Sequence, residues 1–272
     1  MRILIATPYM SSHLDSGLFW ARAINQLGHS ITLWDYRYDQ RTNFSRGFDL
    51  SIVFKGEVVD PKLLPGTKLI YWPDKFERTP GIIKDKLSLY DKIFTPVRPT
   101  PEGMVWLPSG HDKDVHKDML LERFYKSVYI GTLNSEYKHN MVYEIGPSKV
   151  FGNGWDSYCH EGPVYLDEFV RTANYTKVLI DIHQSPDTGV NRKLFEMISC
   201  GFTIVDRVPG IKEIFPDIWA KFTFEDSKTA KELINYYLAD YSEALNLWEL
   251  QKKCIEPYSY LNCAKKMLKG LN

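Results

Sequence analysis

One carboxylate, Glu196, stands four residues after Arg192 in the run Thr188-Gly189-Val190-Asn191-Arg192-Lys193-Leu194-Phe195-Glu196. A helix that begins there offers unpaired backbone N–H groups and a partial positive charge, the ordinary ingredients of a phosphate seat. The Thr188 to Val190 loop would meet the phosphate, and Arg192 and Lys193 add full charges. Glu196, a little over a turn further in, can reach a hydroxyl-bearing group beside that phosphate.

The neighbouring residues supply what would position this seat. Lys177-Val178-Leu179-Ile180-Asp181-Ile182 is an apolar strand pattern, and it runs into a loop with Pro186 and Gly189. A helical stretch follows, closed by Gly201, and Phe202-Thr203-Ile204-Val205 is a second strand. Strand, loop, helix, strand is the unit that builds parallel sheets, in which ligands sit at the carboxyl ends of the strands.

The same unit recurs along the chain. Met1 to Thr7 is a strand pattern followed by a polar loop with His13 and Asp15. A helix from Ser16 or Gly17 places Leu18, Phe19, Ala21, Ile24 and Leu27 on one face and stops at Gly28. Ser30 to Asp35 completes the crossover, and Leu50 to Phe54, Lys68 to Trp72, Lys92 to Thr95 and Met104 to Leu107 are further strands. Residues 112–123 turn polar and read as a linker. The cycle then restarts: strand Ser127 to Ile130 into Gly131-Thr132, helix Lys138 to Ile145, strand Lys149 to Phe151 into Gly152-Asn153-Gly154-Trp155, helix Leu166 to Ala173. Helices over 227–240 and 241–253 follow, Pro257 interrupts, and 261–271 forms a last helix. The expected domains are 1–115, 116–256 and a crossing helix 257–272, giving an α/β fold of two doubly wound, Rossmann-like halves facing a cleft.

Composition excludes several classes. Thirty-four basic residues balance 34 acidic ones, so the chain as a whole carries no strong pull toward DNA or an anionic membrane. Lys55, Lys75, Arg78, Lys84 and Lys86 could still supply a local basic face. The four cysteines show no metal-type spacing, no signal peptide opens the sequence and no apolar run is long enough to span a bilayer. A cytoplasmic compartment is expected. No cluster of Asp, Glu and His at ligand spacing argues for a bound ion, so no metal and no cofactor are expected.

Leu27-Gly28-His29, Val105-Trp106-Leu107-Pro108, Ile130-Gly131-Thr132, Gly152-Asn153-Gly154-Trp155 and Asn191 to Glu196 with Cys200-Gly201 together resemble glycosyltransferases of the two-Rossmann-domain (GT-B) type. The branch most similar is the CgeB-like (spore-maturation-protein) group within the group 1 glycosyltransferases. That resemblance implies transfer of a sugar from a nucleotide-diphosphate donor, UDP-sugar before others, held by the second half, to an acceptor hydroxyl, with retention of configuration. On it, Glu196 matches the carboxylate that bonds the ribose hydroxyls, and Gly189 and Val190 match the backbone at the diphosphate. Gly131 matches the glycine turn that opens the donor half, Lys138 a basic residue facing the phosphates, and Gly162-Pro163-Val164 the segment that receives the base. Thr132, Gly152, Asn153, Thr188, Asn191 and Arg192 complete the expected donor set. Related retaining enzymes often carry a second carboxylate eight residues before the ribose-binding one; here that position is Thr188, with Asp187 beside it.

On the acceptor side, His13 and Asp15 follow the first strand and Asp74 follows the strand ending Tyr71-Trp72; each could orient or deprotonate a hydroxyl. His111 and Asp112 also follow a strand end. The acceptor is open between a glycan, a small molecule and a modified pyrimidine in phage-type DNA. A non-catalytic nucleotide-sugar-binding module is the reading of another class, since fold does not guarantee chemistry.

Overall fold

The structure is a computed structural model that describes residues 1–8, 16–39, 44, 47–55, 58–72, 81–155, 160–185 and 189–271. The chain divides into two compact units, Met1–Ser109 with Tyr260–Asn272, and Gly110–Ser259.

The first unit contains β1 (Arg2–Ala6), α1 (Ser16–Gln26), β2 (Ser30–Trp34), β3 (Leu50–Phe54), β4 (Thr67–Tyr71), α2 (Gly81–Leu87), β5 (Lys92–Thr95) and β6 (Met104–Trp106). Its strands form one parallel sheet in the order β2-β1-β3-β4-β5-β6. All of β3 is buried, as a strand covered on both faces requires. The buried face of α1 differs from the expected one. Leu18 is 38% exposed whereas Trp20 is fully buried, with its ring centroid 5.7 Å from those of Phe54 and Tyr71. Gly17, Trp20, Ala21 and Ile24 follow the i, i+3, i+4, i+7 rule, and an indole contributes more buried area than a leucine.

The second unit contains β7 (Tyr125–Ile130), α3 (Glu136–Ile145), β8 (Lys149–Phe151), α4 (Leu166–Asn174), β9 (Thr176–Asp181), α5 (Arg192–Cys200), β10 (Thr203–Asp206), α6 (Ile211–Ile214), α7 (Trp219–Phe222), β11 (Thr223–Phe224), α8 (Ser227–Ala239) and α9 (Tyr241–Ile255). Its parallel sheet runs β11-β10-β9-β7-β8. Both sheets therefore share one topology: the first strand is flanked by the second on one side and the third on the other. This reversal, β1/β3 and β7/β9, is where doubly wound sheets open a crevice at their carboxyl ends.

Helix α5 lies in the core of the second unit. Trp248 and Gln251 of α9 hold it and β10 from outside: the Trp248 indole donates to Ile198 O at 2.6 Å and the Gln251 amide to Thr203 O at 2.7 Å. Arg123 closes its far end, donating to Cys200 O at 2.9 Å and to Thr176 O at 3.0 Å. Gly201 ends the helix as expected, through crowding rather than a left-handed turn: its φ is −173°, and a Cβ there would lie 2.8 Å from the Arg123 guanidinium.

The last helix, α10 (Tyr260–Leu268), belongs to the first unit. Tyr260 packs with ring centroids 5.4 Å from Phe19 and 5.6 Å from Trp20, both on α1.

Candidate functional site

At the β7/β9 reversal three strands end in polar residues or glycine: β7 runs into Gly131, β9 ends at Asp181 and β10 at Asp206. The glycines here are set by close approach. Gly131 N–H donates to Phe151 O at 2.7 Å, and the Trp155 indole donates to Gly131 O at 2.7 Å. A Cβ on Gly152, whose φ is +143°, would fall 2.1 Å from Gly131 O; one on Gly131 would meet Tyr129 Oη at 2.6 Å and Lys193 Nζ at 3.0 Å. Leu133 N–H donates to Asn153 O at 2.9 Å, so the Gly131 and Gly152 loops run side by side, with Thr132 and Asn153 exposed. Ser135 caps α3 and donates from Oγ to Gln184 O at 2.8 Å, which joins this pair of loops to the one after β9.

Helix α5 starts at that same place. Asn191 is its N-cap and accepts the Leu194 N–H at 3.0 Å on Oδ1, while Val190 before it is buried. Glu196 is buried a turn further in. Its Oε1 lies 3.1 Å from Arg192 Nε, an i,i+4 ion pair in which the arginine is the more exposed partner. His116 Nε2 stands 3.8 Å from the same oxygen, beyond hydrogen-bond range. Burial holds the His116 ring below its usual proton affinity, with Glu196 and Asp112 opposing. Its Nδ1 accepts the Asp112 N–H at 3.2 Å, so the proton sits on Nε2, on the Glu196 side.

Lys193 turns the other way. Its Nζ lies 2.9 Å from Asp181 Oδ1, donates to Ile130 O at 2.6 Å and sits 4.7 Å from the Tyr129 ring centroid. Burial works against both charges of the pair. The Lys193 ammonium nevertheless holds Asp181 below its usual range, and Asp181 holds Lys193 above its own. Lys138 is also buried, donating to Asn134 Oδ1 at 2.8 Å and Thr132 O at 3.4 Å, so it braces the β7–α3 loop from beneath. Burial and the nearby Lys193 bring its pKa down to about 8. Asp206, at the end of β10, accepts from His183 Nδ1 at 2.6 Å, from the His183 N–H at 3.1 Å and from Tyr137 Oη at 3.4 Å.

The structure thus brings together Gly131, Thr132, Lys138, Gly152, Asn153, Val190, Asn191, Arg192 and Glu196 at one end of the second sheet. Val164 packs against the core of this unit, beside Phe169 and Phe151. Gly189 is partly buried next to Val190. His13, Asp15, Asp74 and Thr188 lie outside the described residues. Sequence reasoning passed over His116, Tyr137, Asp181, His183 and Asp206. Asp181 and Asp206 carried a readable signal, a carboxylate closing an apolar strand; the histidines carried none. Among the described residues no group of three or more His, Cys, Asp or Glu could hold a metal ion. Asp181 and Asp206 are already engaged by Lys193 and His183.

Residues 135–269 match the model of a glycosyl transferase-like family. No curated protein matches the chain in sequence. Solved structures match over its whole length. A T4 phage beta-glucosyltransferase mutant in complex with UDP-glucose superposes with a TM-score of 0.71 at 10% identity, covering 100% of both chains. This is the GT-B glycosyltransferase fold. An alpha-glucosyltransferase in complex with UDP and a 13-mer DNA containing an HMU base shares it, with a TM-score of 0.69 at 12% identity over 100% of this chain and 99% of that one. The T4 phage beta-glucosyltransferase in complex with UDP and Mn2+ gives 0.67 at 11% identity, with 100% of both chains covered. The matched family span begins just before α3, after β7 and Gly131, and takes in Glu196 and the α5 N-terminus.

Proposed function

We propose that the protein is a glycosyltransferase that moves a sugar, glucose before others, from a UDP-sugar to an acceptor hydroxyl, with the donor held at the carboxyl end of the second sheet. The observation that carries this reading is the pairing of Arg192 with the buried Glu196 in the opening turns of α5, at the β7/β9 reversal. The donor diphosphate rests against the first turn of α5, and Glu196 accepts from the ribose hydroxyls. As the sugar–phosphate bond breaks, negative charge develops on the leaving diphosphate. The helix N-terminus and Arg192 stabilise that charge from fixed positions, which lowers the barrier without reorganisation. Lys193 and Lys138 support the site from behind, since their ammonium groups face Asp181 and the β7–α3 loop. We read the reaction as retaining and metal-independent, the branch as CgeB-like and the setting as cytoplasmic. No helix among the described residues is long and apolar enough to cross a membrane.

The test is calorimetry with UDP, GDP, ADP and TDP and their glucose conjugates, on wild type and Glu196→Ala. UDP-glucose binding that the variant loses supports the donor site; a nucleotide-blind wild type counts against it.

For the acceptor, a modified base in DNA is favoured by charge. The balance of the whole chain conceals an asymmetry: the first unit has 17 Lys and Arg against 11 Asp and Glu, net +6, and the second has 17 against 23, net −6. A positive first unit suits a polyanionic acceptor. Labelled glucose passing from UDP-glucose to hydroxymethylpyrimidine DNA, with affinity falling steeply as salt rises, supports it. Donor turnover with no label in DNA points to a glycan or small-molecule acceptor.

A further inference from the structure

The donor reading gives no task to His183, yet its ring makes a connection that no aliphatic side chain could supply. It is 2% exposed and lies two residues beyond the end of β9. On one side Nδ1 is 2.6 Å from Asp206 Oδ1, and the residue's own N–H points to both Asp206 oxygens at 3.1 Å. On the other side Nε2 is 3.1 Å from the backbone nitrogen of Asn191, the N-cap of α5. A backbone N–H can only donate, so Nε2 accepts, and the one ring proton sits on Nδ1, shared with Asp206. Burial lowers the ring's proton affinity and the Asp206 carboxylate raises it above the usual value, but a second proton would have to point at the Asn191 N–H. The charged and titratable groups around it are Asp206 on β10, Asp181 on β9, Lys193 on α5, and Tyr137 and Lys138 on α3. The imidazole therefore ties the end of β10 to the N-cap of α5, Asn191, which lies eight residues after His183.

We propose that His183 is a positioning residue for the donor: its neutral imidazole clasps the Asn191 amide and so fixes the first turn of α5 where the diphosphate is to rest. This inference depends on the donor reading above. The clasp and a plain core role predict opposite results for two conservative variants. His183→Gln places an amide oxygen near Nε2, which keeps the bond to Asn191. His183→Asn places an amide N–H near Nδ1, which keeps the bond to Asp206 and loses the clasp.

The experiment measures the UDP dissociation constant of wild type, His183→Gln and His183→Asn by calorimetry, with circular dichroism to show that each is folded. The clasp requires His183→Gln to bind within about threefold of wild type and His183→Asn to bind about tenfold more weakly. His183→Asn binding as wild type while His183→Gln weakens would overturn it. A wild type that binds no UDP removes the donor reading and this inference with it, whereas normal UDP binding by His183→Asn removes the inference alone. Nitrogen-15 NMR of the ring gives an independent readout: a single proton on Nδ1 at neutral pH is expected, and a doubly protonated ring would refute the clasp.

Discussion

Replacing Glu196 by Gln changes one charge and almost no volume, which makes it the sharpest probe of the donor site. The Glu196 side chain is only 6% exposed, so water competes little for its oxygens, and Oε1 lies 3.1 Å from Arg192 Nε. A hydrogen bond to a charged group contributes about 1.5–3 kcal/mol and a neutral one about 0.5–1.5. Losing the charge at two ribose hydroxyls therefore costs about 2–3 kcal/mol of UDP affinity, or roughly 30- to 150-fold. Folding should suffer less, by about 1 kcal/mol, because Arg192 is partly exposed and water can take over its pairing. The assay is a cycle of two proteins and two ligands, UDP and 2′,3′-dideoxy-UDP, followed by calorimetry. If Glu196 acts through the ribose, wild type should lose most of the same free energy on going to the dideoxy ligand, and Glu196→Gln should lose little more. Equal penalties from the mutation for both ligands, or wild type binding the dideoxy ligand as tightly as UDP, would refute the ribose assignment.

Three further outcomes are expected. Gly152→Ala forces a Cβ to within 2.1 Å of Gly131 O at a φ of +143° and should destabilise the protein by about 2 kcal/mol or more, read as a lower urea midpoint. Lys138 has a folded pKa near 8, below its unfolded value near 10.5, so the folded state binds fewer protons between those two values. Wild type should gain stability over Lys138→Met as pH rises from about 8 to 10.5, as urea titrations at stepped pH would register; a flat difference would count against the burial of Lys138. Transfer measured after EDTA treatment should keep its rate without added manganese or magnesium, and a loss restored by either ion would show that the reaction needs a metal.

Much of the second unit could be read from residues 177–206 alone, because apolar strands, a helix and a loop glycine follow one another within a single crossover. Asn191 caps its own helix, and local signals of that kind survive in sequence. What could not be read was pairing through space. Lys193 sits beside Arg192 in the chain and looked like a second phosphate cation, yet Arg192 turns to Glu196 on the same helix while Lys193 turns back to Asp181 at the end of β9, a pairing that no periodicity marks. His183 and Asp206 meet only because β9 and β10 are neighbours in the sheet. Strand β11 and helices α6 and α7, of two and four residues, are too short to impose a pattern. On α1 the expected face included Leu18 and left out Trp20, because periodicity gives a stripe without saying which bulky side chain the sheet will accept. The acidic and basic halves cancel in any whole-chain sum, and the first unit shows its full excess only once Lys265, Lys266 and Lys269 of the C-terminal segment are assigned to it.

That assignment of α10 also fixes an order of events during synthesis. The unit whose strands leave the ribosome first lacks Tyr260, Cys263, Ala264, Met267 and Leu268, all buried in it, until the whole second unit has been made. The second unit, continuous in sequence, can close while α1 still waits with Phe19 and Trp20 uncovered. The half begun first is thus finished last, and a chain released early would carry a complete second unit beside an open, sticky first one, a ready substrate for chaperones and proteases.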